Sequence, residues 1–117
     1  MYKIVFYKNR KNEEPVADYI KRLRNKNDKD SRIKLYKITN YIDKLCESGT
    51  RVGKPFVKHI ENNLWELRPI RDRILFAYYK NDTFVLLHCF MKKTNKTPRR
   101  EINEANNRLK EFLESEK

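Results

Sequence analysis

The feature that most constrains this chain is a change in the period of its apolar residues near position 60. Before it, Val16, Tyr19, Ile20 and Leu23 recur at helical spacing, as do Leu35, Ile38, Ile42 and Leu45. Such spacing gathers each set on one face of a helix, where about 3.6 residues complete a turn. After it, Leu64 to Arg68, Arg73 to Tyr79 and Thr83 to Met91 alternate and are rich in β-branched and aromatic side chains, so they read as three strands. A strand-like Tyr2 to Tyr7 precedes the helices. A chain that changes period once in this way predicts an α+β domain.

Local signals sharpen the outline. Asn12 is positioned as an N-cap, with Glu13, Glu14 and Pro15 suited to a first helical turn. A polar break from Asn25 to Lys29 leaves two consecutive helices as a helical hairpin, and Gly49 suits the end of the second. Gly53 to His59 reads as a loop or short strand. Thr97 is predicted to cap a last helix with Pro98 at its first position, burying Ile102, Ala105, Leu109 and Phe112. The expected order is N-terminal strand, helical hairpin, antiparallel β-meander and C-terminal helix, one domain over residues 1–117.

Asn81-Asp82 predicts a tight turn between the last two strands. Pairing Lys80 with Thr83 across it sets Arg73 opposite Phe90 and Leu75 opposite His88. Ile74, Phe76, Tyr78, Val85, Leu87, Cys89 and Met91 then form one apolar face, under the helices with Trp65 and Leu67. The other face is predicted to be open. It carries Arg73, Leu75, Ala77, Tyr79, Phe84, Leu86, His88, Phe90 and Lys92, joined by Glu66 and Arg68.

Charge points to a partner. The chain has 28 Lys and Arg against 16 Asp and Glu, a net charge of +12 that suits a polyanion such as nucleic acid. Residues 51–100 hold twelve of the basic and four of the acidic residues. No helix pairs a polybasic face with a broad apolar one, and no stretch has transmembrane length, so no membrane role is expected. The N-terminus lacks the apolar run of a signal peptide, and Cys46 and Cys89 have no second pair to complete a zinc site. The expectation is a cytoplasmic protein with reduced thiols, without metal or other cofactor.

The open face mixes cations with aromatics, and that mixture suits single-stranded RNA: basic groups hold phosphates while rings stack on unpaired bases. RNA can also be cut by side chains alone. A base removes the 2′-hydroxyl proton, the oxygen attacks the adjacent phosphate, cations stabilise the dianionic transition state, and an acid protonates the departing 5′-oxygen. Arg68 and Arg73 have the planar fork for bidentate phosphate contacts. On the residues alone, Glu66 with Arg68 also reads as a surface ion pair, Lys92 and Lys93 as charges guarding a sheet edge, and His88 as a packed histidine.

Three blocks are specific: Leu64-Trp65-Glu66-Leu67-Arg68, Arg73-Ile74-Leu75-Phe76, and Phe90-Met91-Lys92-Lys93-Thr94-Asn95-Lys96-Thr97-Pro98. Together they closely resemble the phage-related HigB branch of the RelE/ParE-like toxins, and the likeness in element order extends over nearly the whole chain. The resemblance implies a RelE-like fold and a ribosome-dependent endoribonuclease that cuts mRNA in the decoding site. It also implies a HigA-like antitoxin with a helix-turn-helix domain, bound in a hetero-oligomer. Arg68 and Arg73 match the family's strand arginines, read as phosphate and transition-state ligands. Lys92 and Lys93 match the basic pair after the last strand, as phosphate clamp or proton-transfer groups. Glu66 matches the acidic position, as general base or as orienter of Arg68. The better-known RelE pattern has further lysines where Trp65 and Glu66 stand, and Lys54 and Lys58 are the substitutes from the preceding loop. Lys54, Lys58, His88, Phe90 and Lys96 complete the set as RNA contacts. Two other functions remain open on the sequence: a ParE-like gyrase inhibitor and a non-catalytic nucleic-acid-binding module.

Overall fold

The computed structural model describes all 117 residues. Strand β1 (Lys3–Phe6) leads into helix α1 (Pro15–Arg24), helix α2 (Lys29–Ser48) and a 3-10 turn at Gly49–Val52. Strands β2 (Val57–Glu61), β3 (Leu64–Leu67), β4 (Asp72–Tyr78) and β5 (Thr83–Met91) follow, and helix α3 (Arg99–Ser115) ends the chain. The sheet order is β1-β5-β4-β3-β2, antiparallel from β5 to β2, with β1 parallel to β5. This is the α+β arrangement expected, and it is compatible with a RelE-like fold. No helix is long and apolar enough to cross a membrane.

The helices form where their apolar stripes require, but the start of α1 differs from expectation, and α2 starts at the end of the polar break with a cap of its own. Val16, Ile20 and Leu23 of α1 and Ile38 and Leu45 of α2 are buried in one core with Leu67, Ile74 and Phe76. Asn12 is not the cap of α1. It sits in a turn at φ +64°, which Asn tolerates better than most residues, and Pro15 opens the helix two residues after Glu13. Asp28 caps α2, its carboxylate accepting from the Ser31 N–H at 2.8 Å. Gly49 ends α2 at φ +64°, a conformation that favours glycine, with the Tyr2 ring 2.8 Å from where a Cβ would stand.

The hairpin corrects the predicted register in one half and keeps it in the other. Tyr79 N–H donates to the Thr83 carbonyl at 2.8 Å, so the loop holds Lys80, Asn81 and Asp82 rather than two residues. Pairing near the loop is therefore slipped by one, with Phe76 opposite Leu86 and Tyr78 opposite Phe84. A bulge at Leu87 cancels the slip, and Leu75 faces His88 and Arg73 faces Phe90 as expected. Phe84 and Leu86 thus join the α1–α2 core, while Val85 and Leu87 turn to the other side.

That other side is not open. Helix α3 covers it, burying Leu64, Leu75, Ala77, Val85 and Leu87 against Ile102, Ala105 and Phe112. The sheet is a middle layer between α1–α2 and α3. The charged residues Glu66 and Arg73 lie at the margin of that cover, beside the Lys92–Pro98 loop that precedes α3.

Candidate active site

The site is built around a carboxylate that cannot be exposed. Glu66 lies opposite Leu75, on the α3 side of the sheet, and is 1% exposed. Dehydrating a carboxylate costs several kcal/mol unless partners replace the water. Here the Thr97 hydroxyl donates to Oε2 at 2.7 Å, while Oε1 lies 3.3 Å from Arg68 Nε and 3.8 Å from Arg73 Nε. Both oxygens face partners. The arrangement makes Glu66 a brace for two guanidiniums, one of the two roles open to it on sequence.

Arg73 is 6% exposed, not an open-face cation. Its Nη1 donates to the carbonyls of Ile70 and Asp72, each at 2.9 Å. Ile70 takes φ +56°, a conformation that β-branched residues rarely adopt, while its carbonyl receives this bond. Burial, and after it the neighbouring Arg68, lowers the Arg73 guanidinium below its ordinary pKa, with Glu66 and Asp72 acting in the opposite direction. Arg68 is fixed by its own N–H, which donates to the Phe56 carbonyl at 3.0 Å. Its Nε is buried without an acceptor in hydrogen-bonding geometry, so its contact with Glu66 is electrostatic rather than directional. A buried donor in that state calls for an explanation, and an anionic ligand supplies one.

Beside this cluster lies a narrow hollow lined by Glu66, Arg73, Phe90 and the stretch from Lys92 to Pro98, about 200 Å³ including its mouth. Lys92 is half-buried, its N–H donating to the Arg71 carbonyl at 2.7 Å; Lys93 and Lys96 are exposed. Thr94 donates from its hydroxyl to the Lys96 carbonyl at 2.7 Å, tightening the loop. Four cationic side chains, Arg73, Lys92, Lys93 and Lys96, thus line a narrow hollow against one braced carboxylate, a balance that favours an anion at its mouth.

The fold thus brings together Glu66, Arg68, Arg73, Lys92, Lys93, Lys96 and Phe90. Lys54 lines an adjoining hollow with Arg68 and Arg73. Lys58 stands opposite Glu66 in β2 but is exposed and lines neither hollow. His88 is turned under α3, its Nε2 2.8 Å from Glu101 Oε1 and its ring stacked on Phe90, so it does not join the cluster. Thr97 was expected to cap α3. Pro98 holds that position and makes no side-chain bond, because the Thr97 hydroxyl goes to the charged acceptor Glu66. Nothing local in the sequence marks that contact, which spans 31 positions.

The fold and the hollow define a small α+β protein with a cationic site at the end of its meander. Residues 13–110 match the family described as Phage derived protein Gp49-like (DUF891), and the chain belongs to that family. It is a family of toxins like those of the RelE/ParE superfamily, associated with toxin–antitoxin systems, and membership implies an antitoxin partner. No curated protein matches the chain.

Proposed function

We propose that the chain is a HigB-like endoribonuclease that cleaves mRNA on the ribosome, in the cytoplasm, and is neutralised by a HigA-like antitoxin. The observation that carries this reading is the pair Arg68 and Arg73, braced by buried Glu66 on the rim of a hollow lined by Lys92, Lys93 and Lys96. A phosphodiester bound there meets cations on several sides. As the 2′-hydroxyl gives its proton to water and its oxygen bonds to phosphorus, the P–O5′ bond breaks, and the two guanidiniums stabilise the extra charge on the phosphoryl oxygens. The departing 5′-oxygen takes a proton from an ammonium group of the Lys92–Lys96 loop. The products are a 2′,3′-cyclic phosphate and a 5′-hydroxyl. Phe90 supplies an aromatic wall for a base.

The test is to induce the chain without antitoxin and map transcript 5′ ends, alongside Arg73→Lys. New 5′-hydroxyl ends within coding regions, absent from the variant, are the expected result. Arrested DNA replication with intact transcripts would replace the nuclease with a gyrase inhibitor.

A further inference from the structure

Arg73 lines two hollows, and only the narrower has been given a role. The second is an open cleft of about 350 Å³ bounded by Lys54, Pro55, Val57, Arg68 and Arg73. Its size is at the lower end of that of pockets that hold ligands larger than a lone ion. It differs from the first in having no carboxylate among its lining residues: three cations surround an apolar floor of Pro55 and Val57. The residues that frame it are fixed. Phe56 N–H and Val57 N–H both donate to the Gly53 carbonyl, at 2.9 and 3.1 Å, and the Phe56 carbonyl accepts from Arg68. The Phe56 ring packs edge-on against Tyr41, with centroids 4.7 Å apart. Lys54 is therefore carried on a tied-down turn beside Arg68, not on a free loop.

We propose that this hollow is a second phosphate subsite. It takes the phosphate adjacent to the scissile one in the same RNA strand, with Lys54 as its ligand and Pro55 as an apolar wall for the intervening nucleoside. The inference rests on the proposed nuclease function, and it adds a span: the strand crosses the Arg68–Arg73 ridge, one phosphate on each side. Arg73 touches both hollows and so sets the distance between them.

Binding of the full chain to short 2′-O-methyl RNA, which cannot be cut, tests this. A single neutral methylphosphonate is moved along the oligonucleotide, and affinity is read by fluorescence anisotropy. Two adjacent positions are expected to weaken binding in the parent protein. In Lys54→Ala one of the two loses its effect and the other keeps it. Overall affinity should fall about tenfold, and the slope of log affinity against log salt should drop by about one ion. Lys54→Arg should restore the second position, and Lys110→Ala, an exposed change on α3, should alter neither. A Lys54→Ala protein that keeps both sensitive positions overturns the subsite while leaving the nuclease intact. Two sensitive positions without any transcript cleavage on induction retain the subsite and overturn the nuclease. An oligonucleotide that does not bind at all overturns the subsite, while the nuclease stands or falls on the transcript ends.

Discussion

Two groups of charges occupy the α3 side of the sheet, and they differ in balance. Under α3 every acid is matched: Glu101 with His88 and Arg100, Glu104 with Arg108, Glu61 with Arg99 and Asn106, and Glu111 with Tyr7. At the corner a single carboxylate, Glu66, stands among Arg68, Arg73, Lys92, Lys93 and Lys96. The matched pairs fasten a helix. The unmatched group repels itself, and an anion relieves that repulsion on binding. Excess charge held in place against its own interest is the mark of a site rather than of a scaffold.

The largest effect expected from breaking this contrast comes from Glu66→Ala. It leaves two guanidiniums close together with no carboxylate between them, and unfolding in urea should show a loss of about 3–5 kcal/mol. A variant as stable as the parent would mean that the brace carries nothing. Arg73→Lys keeps the charge but loses the fork and the two backbone bonds. Transcript cleavage should fall about 10²–10³-fold, as when a transition-state donor is removed. Thr97→Val deletes a hydrogen bond to a buried charge, and its stability should drop by about 1.5–3 kcal/mol, with Thr97→Ser close to the parent. On the balanced side, His88→Gln should cost about 1 kcal/mol and leave cleavage unchanged. A large loss of cleavage in that variant would erase the distinction between the two groups.

The smallest effect is a pH dependence. Burial, and then the bond to Glu111, raises the Tyr7 phenol from its ordinary 10.0 to about 12. A raised acid favours the fold only while it keeps its proton. The contribution is whole below pH 10.0 and is lost as pH climbs through about 12. Thermal melts across that window should show a drop in the parent that is reduced in Tyr7→Phe.

Element order was legible in the sequence because helix and strand periods differ so plainly on either side of residue 60. The pairing of Arg73 with Phe90 was legible too, although the loop that seemed to set it has a different length. The cover over the second face was misread. Ile74-Leu75-Phe76-Ala77 and Phe84-Val85-Leu86-Leu87 are unbroken apolar runs, which is the pattern of strands buried on both sides. Reading them as alternating obscured the role of α3 and left Arg73 on an imagined open surface. Arg68, Arg73, Lys92, Lys93 and Lys96 come together as the register and the resemblance lead one to expect, whereas Lys58 and His88 do not join them. The burial of Glu66 and its bond to Thr97 were not legible, because they depend on how the Lys92–Pro98 loop closes. His88 was ambiguous by composition, and Glu101 decides it.

The extra residue at Leu87 uncouples the two ends of the β4–β5 hairpin, because it stands unpaired between Leu86 opposite Phe76 and His88 opposite Leu75. Removing it would leave Leu75 facing His88 and Arg73 facing Phe90, at the cost of one buried side chain. Removing Cys89 instead would bring Phe90 opposite Ile74 and turn its ring to the other side of the sheet. Two single-codon deletions two positions apart should therefore differ, the first weakening the fold and the second emptying the hollow of its aromatic wall.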